Sequence, residues 1–325
     1  MQLKTQISVE KEGLGLQKII ANKYINERAD LRNMYDKAYF ELDNTYLDIS
    51  DLKEVFSKSK NRAILNEDDD VISILAPTGL TASGQAEKSL GRLEAKTGID
   101  DLINLQDTRI GFKQLNELIQ KVRSKAGYST TGTNVDQSSY RRLAEDLSAL
   151  RDQVLSRAPK SGRDAFNAAE TKFKLVDIRY QEPDIARVIE PHKGQGYGQA
   201  INAKVAGKRV KIPELKKGGT EVISAALQSP KKAKDFLNVA GNTLEAKKML
   251  RRVFLEEKGL VAGTIDKKAL NFSSKERDLV KVLWGEKNWK RKMATFDKLK
   301  KESDSQSDYI EGLTNETYNR LMIES

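Results

Sequence analysis

Apolar residues recur at helical spacing along the first part of the chain. Successive apolar positions lie three, four or seven residues apart, which places them on one face of an α-helix. These positions are Leu16, Ile19, Ile20, Tyr24, Leu31, Met34, Tyr35, Ala38 and Leu42. The pattern predicts one long amphipathic helix.

The same spacing predicts three more helices before residue 190. They cover residues 112–127, 140–159 and 166–183, and a glycine or proline ends each of them. Helices of this length with short breaks between them are typical of an antiparallel bundle. Shorter segments are predicted as a helix over 48–56, a loop over 66–81 that contains a candidate strand at Val71–Leu75, and a helix over 83–97.

Residues 191–219 interrupt this regular pattern. They are rich in glycine and lysine and have little helical periodicity, so they predict a linker or a long irregular loop, with Val205–Ile212 as a candidate hairpin. Helical spacing then resumes, with start signals at Ser229–Pro230, Asn242–Glu245 and Ser273–Glu276. We therefore predict an all-α fold: a multi-helix bundle plus a second basic helical module, in an elongated arrangement.

The charge of the chain is unevenly distributed. Residues 191–301 contain 27 Lys and Arg against 11 Asp and Glu, whereas residues 302–325 contain one Arg against six acids. Residues 1–190 are close to neutral. Composition and charge together predict four parts: a near-neutral helical bundle over 1–190, a Gly/Lys-rich linker over 191–219, a basic helical module over 220–301 and an acidic tail over 302–325. The tail is a candidate for compensating the basic charge within the chain.

Composition excludes several kinds of chemistry. The chain has no cysteine and one histidine, so thiol nucleophiles, disulfides and thiolate metal sites are absent. The loop Gly194–Gly198 lacks the preceding strand and the Lys-Ser/Thr pair of a phosphate-binding loop. No Asp or Glu lies at a sequence spacing that would predict a pair with His192. The acidic cluster Glu67–Asp70 lacks the ligand spacing of an EF-hand. No run approaches 18 apolar residues. We expect no catalytic residue, no metal, no cofactor and no small-molecule substrate.

Basic clusters are the candidate binding residues. Lysine and arginine contacts to phosphates give sequence-independent, salt-sensitive binding of nucleic acids. A solvated helical face explains the same charges, so both interpretations stay open at this point. An anionic membrane surface is another acidic target, because residues 244–256 are amphipathic. The candidate contacts are Lys208, Arg209, Lys211, Lys216, Lys217, Lys231, Lys232, Lys247, Lys248, Arg251, Arg252, Lys290, Arg291 and Lys292.

Several segments resemble a known family. Residues 26–42, 106–124 and 138–155 resemble helical units of large phage virion proteins. The stretch 245–272 followed by 278–299 is similar to a recurring block of the same proteins: an arginine-flanked apolar helix, the turn Gly263-Thr-Ile-Asp266, and then Leu283-Trp-Gly285 before another helix. The family is that of the phage internal virion proteins, or DNA-ejection (injection) proteins.

The resemblance implies a structural function without catalysis. Such proteins are stored inside the capsid as internal core proteins and are delivered with the genome into the host envelope. It implies a location in the virion interior, and in the host envelope or cytoplasm after ejection. The implied partners are copies of the chain in a homo-oligomer, other virion proteins such as portal or core components, and DNA or an anionic membrane. The alternatives are a sequence-nonspecific nucleic-acid-binding protein and a peptidoglycan hydrolase.

Overall fold

The computed structural model describes residues 2–48, 51, 52, 54, 55, 109–128, 137–259, 264–302 and 309–311. Within these ranges the chain is mostly helical, so the predicted all-α fold class is confirmed. The predictions for 66–81, for Val71–Leu75 and for 83–97, and the acidic cluster Glu67–Asp70, lie outside the described residues.

Helices account for most of the described chain. They are α1 (Gln2–Glu41), α2 (Phe112–Tyr128), α3 (Gln137–Arg157), α4 (Lys160–Gln181), α5 (Pro183–Val188), α6 (Gly198–Val205), α7 (Gly219–Leu227), α8 (Pro230–Val239), α9 (Leu244–Glu257), α10 (Ser274–Trp284) and α11 (Trp289–Glu302), with a 3-10 turn at Lys267–Leu270.

Two short antiparallel strand pairs complete the described structure. β1 (Tyr46–Asp48) pairs with β2 (Arg109–Gly111), and β3 (Thr264–Asp266) pairs with β4 (Tyr309–Glu311). Strands of three residues are too short to show a period-two alternation in the sequence, which explains why the helical pattern gave no sign of them.

The chain forms two compact units whose boundaries differ from the predicted domains. Residues 33–171 form the middle unit, and residues 1–32 together with 172–325 form the terminal unit. The predicted bundle over 1–190 is therefore split, because the first part of α1 and the last part of α4 belong to the unit that contains the basic helices. A composition boundary marks a change in surface charge, whereas the core decides which helices fold together.

The core of the terminal unit draws on both ends of the chain. Leu16 and Ile20 of α1 are completely buried in a cluster with residues of α7 to α11. The buried aromatic members of this cluster from the second half of the chain are Phe236, Phe254, Phe272, Trp284 and Phe296. The other aromatic residue of the basic helices, Trp289, is half-buried and packs against the same cluster. These aromatic side chains thus serve the core, as their helical spacing indicated.

The middle unit has a separate core. Phe112, Leu115 and Leu118 of α2 pack with Tyr140 and Leu143 of α3. Further buried residues come from the end of α1, from β1 and from the first half of α4, and these include Leu42, Leu47 and Phe166. The predicted stripes on α2 and α3 thus form the interface of an antiparallel helix pair.

The segment predicted as a linker contains a helix. α6 covers Gly198–Val205, and no hairpin forms at Val205–Ile212, which is one helix end followed by a turn and by chain without regular secondary structure. Within α6 Ala200 is the buried residue, so the helix has no apolar stripe that a periodicity search could detect. A bridge between Pro191 and Leu215 closes the segment on itself.

Helix caps in the basic region mostly follow the sequence signals. Ser229 accepts a hydrogen bond from the Lys232 backbone N–H, and Ser273 with Glu276 forms the predicted capping box. The start of α9 differs by one residue, because Thr243 rather than Asn242 accepts the capping bond. Asn242 instead has a positive φ of 53°, in the tight turn after α8.

Candidate nucleic-acid interface

α1 lies antiparallel against α9 in the terminal unit. Glu12 forms an ion pair with Arg252. Further along, a Cβ placed on Gly15 would lie 2.6 Å from the Met249 methyl carbon. Residue numbers thus rise along α1 as they fall along α9. The N-terminal helix therefore borders the basic helix that the sequence singled out.

α1 also contacts the start of α7 at very close range. A Cβ on Gly13 would lie 1.8 Å from the Gly219 carbonyl oxygen, so the two backbones touch and glycine is required at this crossing. The Glu10 carboxylate accepts hydrogen bonds of 2.7 Å from the backbone N–H groups of Gly219 and Thr220. These bonds to Thr220 and Gly219 lower the pKa of Glu10 below its usual value.

Two of the predicted contact residues are buried. The Arg251 side chain is 1% exposed; its Nε donates a 2.9 Å hydrogen bond to the Leu283 carbonyl oxygen, and its guanidinium lies over the Trp284 ring. Burial lowers the pKa of Arg251 to about 10, so it stays charged at neutral pH. Lys292 is 2% exposed. Neither side chain lies where a surface ligand could contact it, so the prediction for these two residues was wrong.

Four predicted cations form ion pairs with neighbouring carboxylates. Lys217 pairs with Glu221 at 2.7 Å and Lys232 pairs with Asp184 at 2.5 Å. Lys216 pairs with Glu190, and Arg252 pairs with Glu12 as described above. The pairs of Lys216 and Lys217 are exposed on both sides. An exposed ion pair of this kind is worth at most about 1 kcal/mol, so it does not prevent a polyanion from competing for these two cations.

The remaining predicted cations are at the surface. Arg291 and Lys290 are exposed at the first turn of α11. Lys247 and Lys248 are half-buried near the first turn of α9. Seven of the lysines and arginines predicted to contact an acidic ligand have no ionic partner within the described ranges. They are Lys208, Arg209, Lys211, Lys231, Lys247, Lys248 and Lys290.

The apolar face of α9 is not available to a ligand. Leu250, Val253 and Leu255 are completely buried, and Phe254 is 4% exposed. The amphipathic pattern over 244–256 therefore serves the core of the terminal unit. A helix of this kind inserts into lipid headgroups through its apolar face, so the folded terminal unit does not offer α9 for such insertion.

Two exposed lysines beside α9 were missed by the sequence reasoning. Lys11 and Lys18 lie on α1, in the part of the sequence assigned to the near-neutral bundle. Their relation to the basic helix depends on contacts between residues more than 200 positions apart, such as the bond from Thr220 to Glu10. No local signal in the sequence could have revealed it.

A buried polar network lies inside the middle unit. Arg151 donates to the Asn116 side-chain oxygen at 3.3 Å, and Asn116 donates to the Tyr39 hydroxyl at 2.7 Å. The Tyr35 hydroxyl donates to Glu170 at 2.8 Å. Burial raises the pKa of Tyr39 to about 12. Because its members satisfy one another, we interpret this network as structural.

The remaining candidates provide no binding chemistry of their own. A groove of about 580 Å³ between α2 and α3 is lined by Arg123 and Arg141 but also by Glu145 and Asp152, so its charges balance. Within the described ranges no three His, Asp or Glu side chains converge as metal ligands. The glycines of the loop Gly194–Gly198 face open space. In the same ranges, none of the helices has the length and apolar character needed to cross a membrane.

Comparisons of the chain with protein-family models, with curated proteins and with solved structures found no match.

Proposed function

We propose that the chain is a structural phage protein of the internal-virion type, and that its basic helices contact the phosphates of DNA during genome delivery. One observation supports the contact with DNA: seven of the lysines and arginines predicted as contact residues have no ionic partner within the described ranges. Such cations release bound counterions from DNA when they neutralise phosphates, which favours binding. The virion assignment is supported by the sequence resemblance alone.

DNA is favoured over lipid as the acidic ligand because the apolar face of α9 is buried. Interfacial helices combine a cationic face with an apolar face that enters the headgroup region. In α9 the cationic residues Lys247 and Lys248 are half-buried and so partly accessible, whereas Leu250 and Val253 are completely buried. A phosphate contact requires accessible cations alone.

A charge-reversal experiment tests the DNA contact. We expect the full chain to bind a duplex of mixed sequence, with an affinity that falls steeply as the salt concentration rises. Lys247→Glu/Lys248→Glu should weaken binding at least tenfold, because each change replaces an attraction with a repulsion. Arg251 is left unchanged, since reversing a buried charge would unfold the protein and mimic a loss of binding.

Two results would contradict the DNA contact. One is equal affinity of the double variant and the wild-type chain. The other is binding to vesicles of anionic phosphatidylglycerol without binding to DNA, which would assign the basic helices to a membrane surface instead. Lys37→Glu/Lys174→Glu is a matched control, because both lysines are exposed and have no ionic partner within the described ranges.

Location tests the virion assignment. We expect the chain in purified particles of a phage that encodes it, and in the host envelope or cytoplasm after ejection, as a homo-oligomer or with portal or core components. Its absence from purified particles would favour the alternative of a nucleic-acid-binding protein that acts inside a cell. Release of soluble fragments from peptidoglycan by the purified chain would overturn the structural assignment in favour of a hydrolase.

A further inference from the structure

The N-terminal helix brings two lysines to the same side as the basic helix. Lys11 and Lys18 are exposed and lie seven residues apart on α1, so they share one face of the helix. Seven residues span about 10.5 Å of helix. Neither lysine has an ionic partner among the residues that the structure describes.

The antiparallel pairing places Lys248 between these two lysines along the helix axis. Glu12 is level with Arg252, and Gly15 is level with Met249. Lys248 therefore lies level with the interval between Lys11 and Lys18. Residues 249 and 252 face α1. Arg251 and Leu255, which lie on the same helix face as position 248, are buried, so Lys248 is half-buried at the edge of this pair with part of its side chain at the surface.

We propose that Lys11, Lys18 and Lys248 form one cationic strip along the α1–α9 pair, and that the strip contacts the phosphates of double-stranded DNA. The proposal deepens the proposed function, on which it rests, by assigning part of the DNA contact to the near-neutral half of the sequence. The DNA-contacting surface thus combines a residue of the basic half with residues from the opposite end of the chain.

The spacing of the strip selects a polymer as its ligand. A single small anion cannot bridge two ammonium groups carried about 10.5 Å apart, whereas duplex DNA presents a phosphate on each strand roughly every 3.4 Å along its axis. The other charged groups nearby leave the strip positive. Arg252 and Glu12 neutralise each other, and Glu245 is the exposed carboxylate on this face of α9.

Neutralisation of the α1 lysines tests the strip in the full chain. Affinity for a mixed-sequence duplex of about 30 base pairs is measured across a salt series. Each phosphate contact contributes about 0.9 to the slope of log affinity against log salt concentration. We expect Lys11→Gln/Lys18→Gln to reduce this slope by about 1.8. Lys37→Gln/Lys174→Gln, which removes the same charge elsewhere, should leave it unchanged.

The outcomes separate the strip from the wider function. If Lys11→Gln/Lys18→Gln keeps the wild-type slope while Lys247→Gln/Lys248→Gln lowers it, the strip is wrong and the DNA function stands. If the wild-type chain does not bind DNA, both are wrong. A second variant tests the strip through a gain of affinity for DNA. Glu245→Gln should raise this affinity several-fold, because it removes a carboxylate that repels phosphate. Unchanged or weaker binding of Glu245→Gln would also overturn the strip.

Discussion

Glu10 stabilises a helix that begins 209 residues later in the chain. Its carboxylate accepts hydrogen bonds from the backbone N–H groups of Gly219 and Thr220, which have no partners inside α7. A negative charge at this position also interacts favourably with the helix dipole. A side chain on α1 thus performs the capping that the local residue Gly218 cannot perform.

The lowered pKa of Glu10 makes part of the stability depend on pH. Because the folded state holds this pKa below its unfolded value, the contribution is fully present above the unfolded pKa and is lost as the pH falls through the folded pKa. We expect Glu10→Gln to be less stable than the wild-type chain by about 0.5–1 kcal/mol at pH 7. The difference in denaturation midpoint between the two proteins should shrink as the pH falls from 7 through the folded pKa of Glu10. If the difference in denaturation midpoint stayed constant as the pH fell, the charge of the Glu10 carboxylate would not contribute to stability.

At the scale of elements, the crossing of α1 and α7 is set by two glycines. Alanine normally improves a helix by about 1 kcal/mol relative to glycine. At Gly13, however, the added carbon would lie 1.8 Å from the Gly219 carbonyl oxygen, so the helices must separate. We expect Gly13→Ala to lower the free energy of unfolding by about 2–3 kcal/mol, because overpacking outweighs propensity.

Gly196→Ala is a suitable control for this prediction. A Cβ at Gly196 would meet no atom within 4 Å, and the residue has no positive φ. We expect a change in the free energy of unfolding within about 0.5 kcal/mol. Chemical denaturation of both variants measures the two effects, and equal stabilities would disprove the close crossing.

The sequence predicted the individual helices better than it predicted how they pack together. Periodicity identified α1 to α4, and capping signals identified the starts of α8 and α10, because those signals lie within one or two helical turns. α6 was missed because eight residues with one buried alanine leave no stripe. Of the candidate contact residues, Arg251 and Lys292 were wrongly expected at the surface. A charged residue is expected to be exposed as long as the packing partners of its helix are unknown.

At the scale of the whole molecule, the acidic tail is attached to the basic region. β4, at Tyr309–Glu311, pairs with β3, which lies between α9 and α10. Residues 302–311 contain four acids and no base. We expect Asp304→Asn/Asp308→Asn to raise the affinity for duplex DNA several-fold, because the change removes two negative charges that repel phosphate from the chain segment next to β4. Ile310→Pro should have a similar effect without a change in charge, because proline disrupts the strand pair.

Equilibrium binding at fixed salt measures both of these changes. Glu316→Gln/Glu324→Gln removes the same number of acids beyond β4 and provides the comparison. If that variant raised the affinity as much as Asp304→Asn/Asp308→Asn, the effect would follow net charge alone. The pairing of β4 with β3 would then have no part in the control of binding.

The contribution of α1 to both units has a consequence for the order of assembly during protein synthesis. Residues 33–171 are contiguous and can fold as soon as they leave the ribosome, whereas Leu16 and Ile20 pack with residues as far along as Phe296. At about 5–20 residues per second, roughly 15 to 55 seconds separate the synthesis of these partners. During that time the apolar face of the N-terminal helix has only part of its native core, from residues such as Val176 and Tyr180. A nascent chain of this protein should therefore bind chaperones through residues 16–31, and it should release them when α11 has been made.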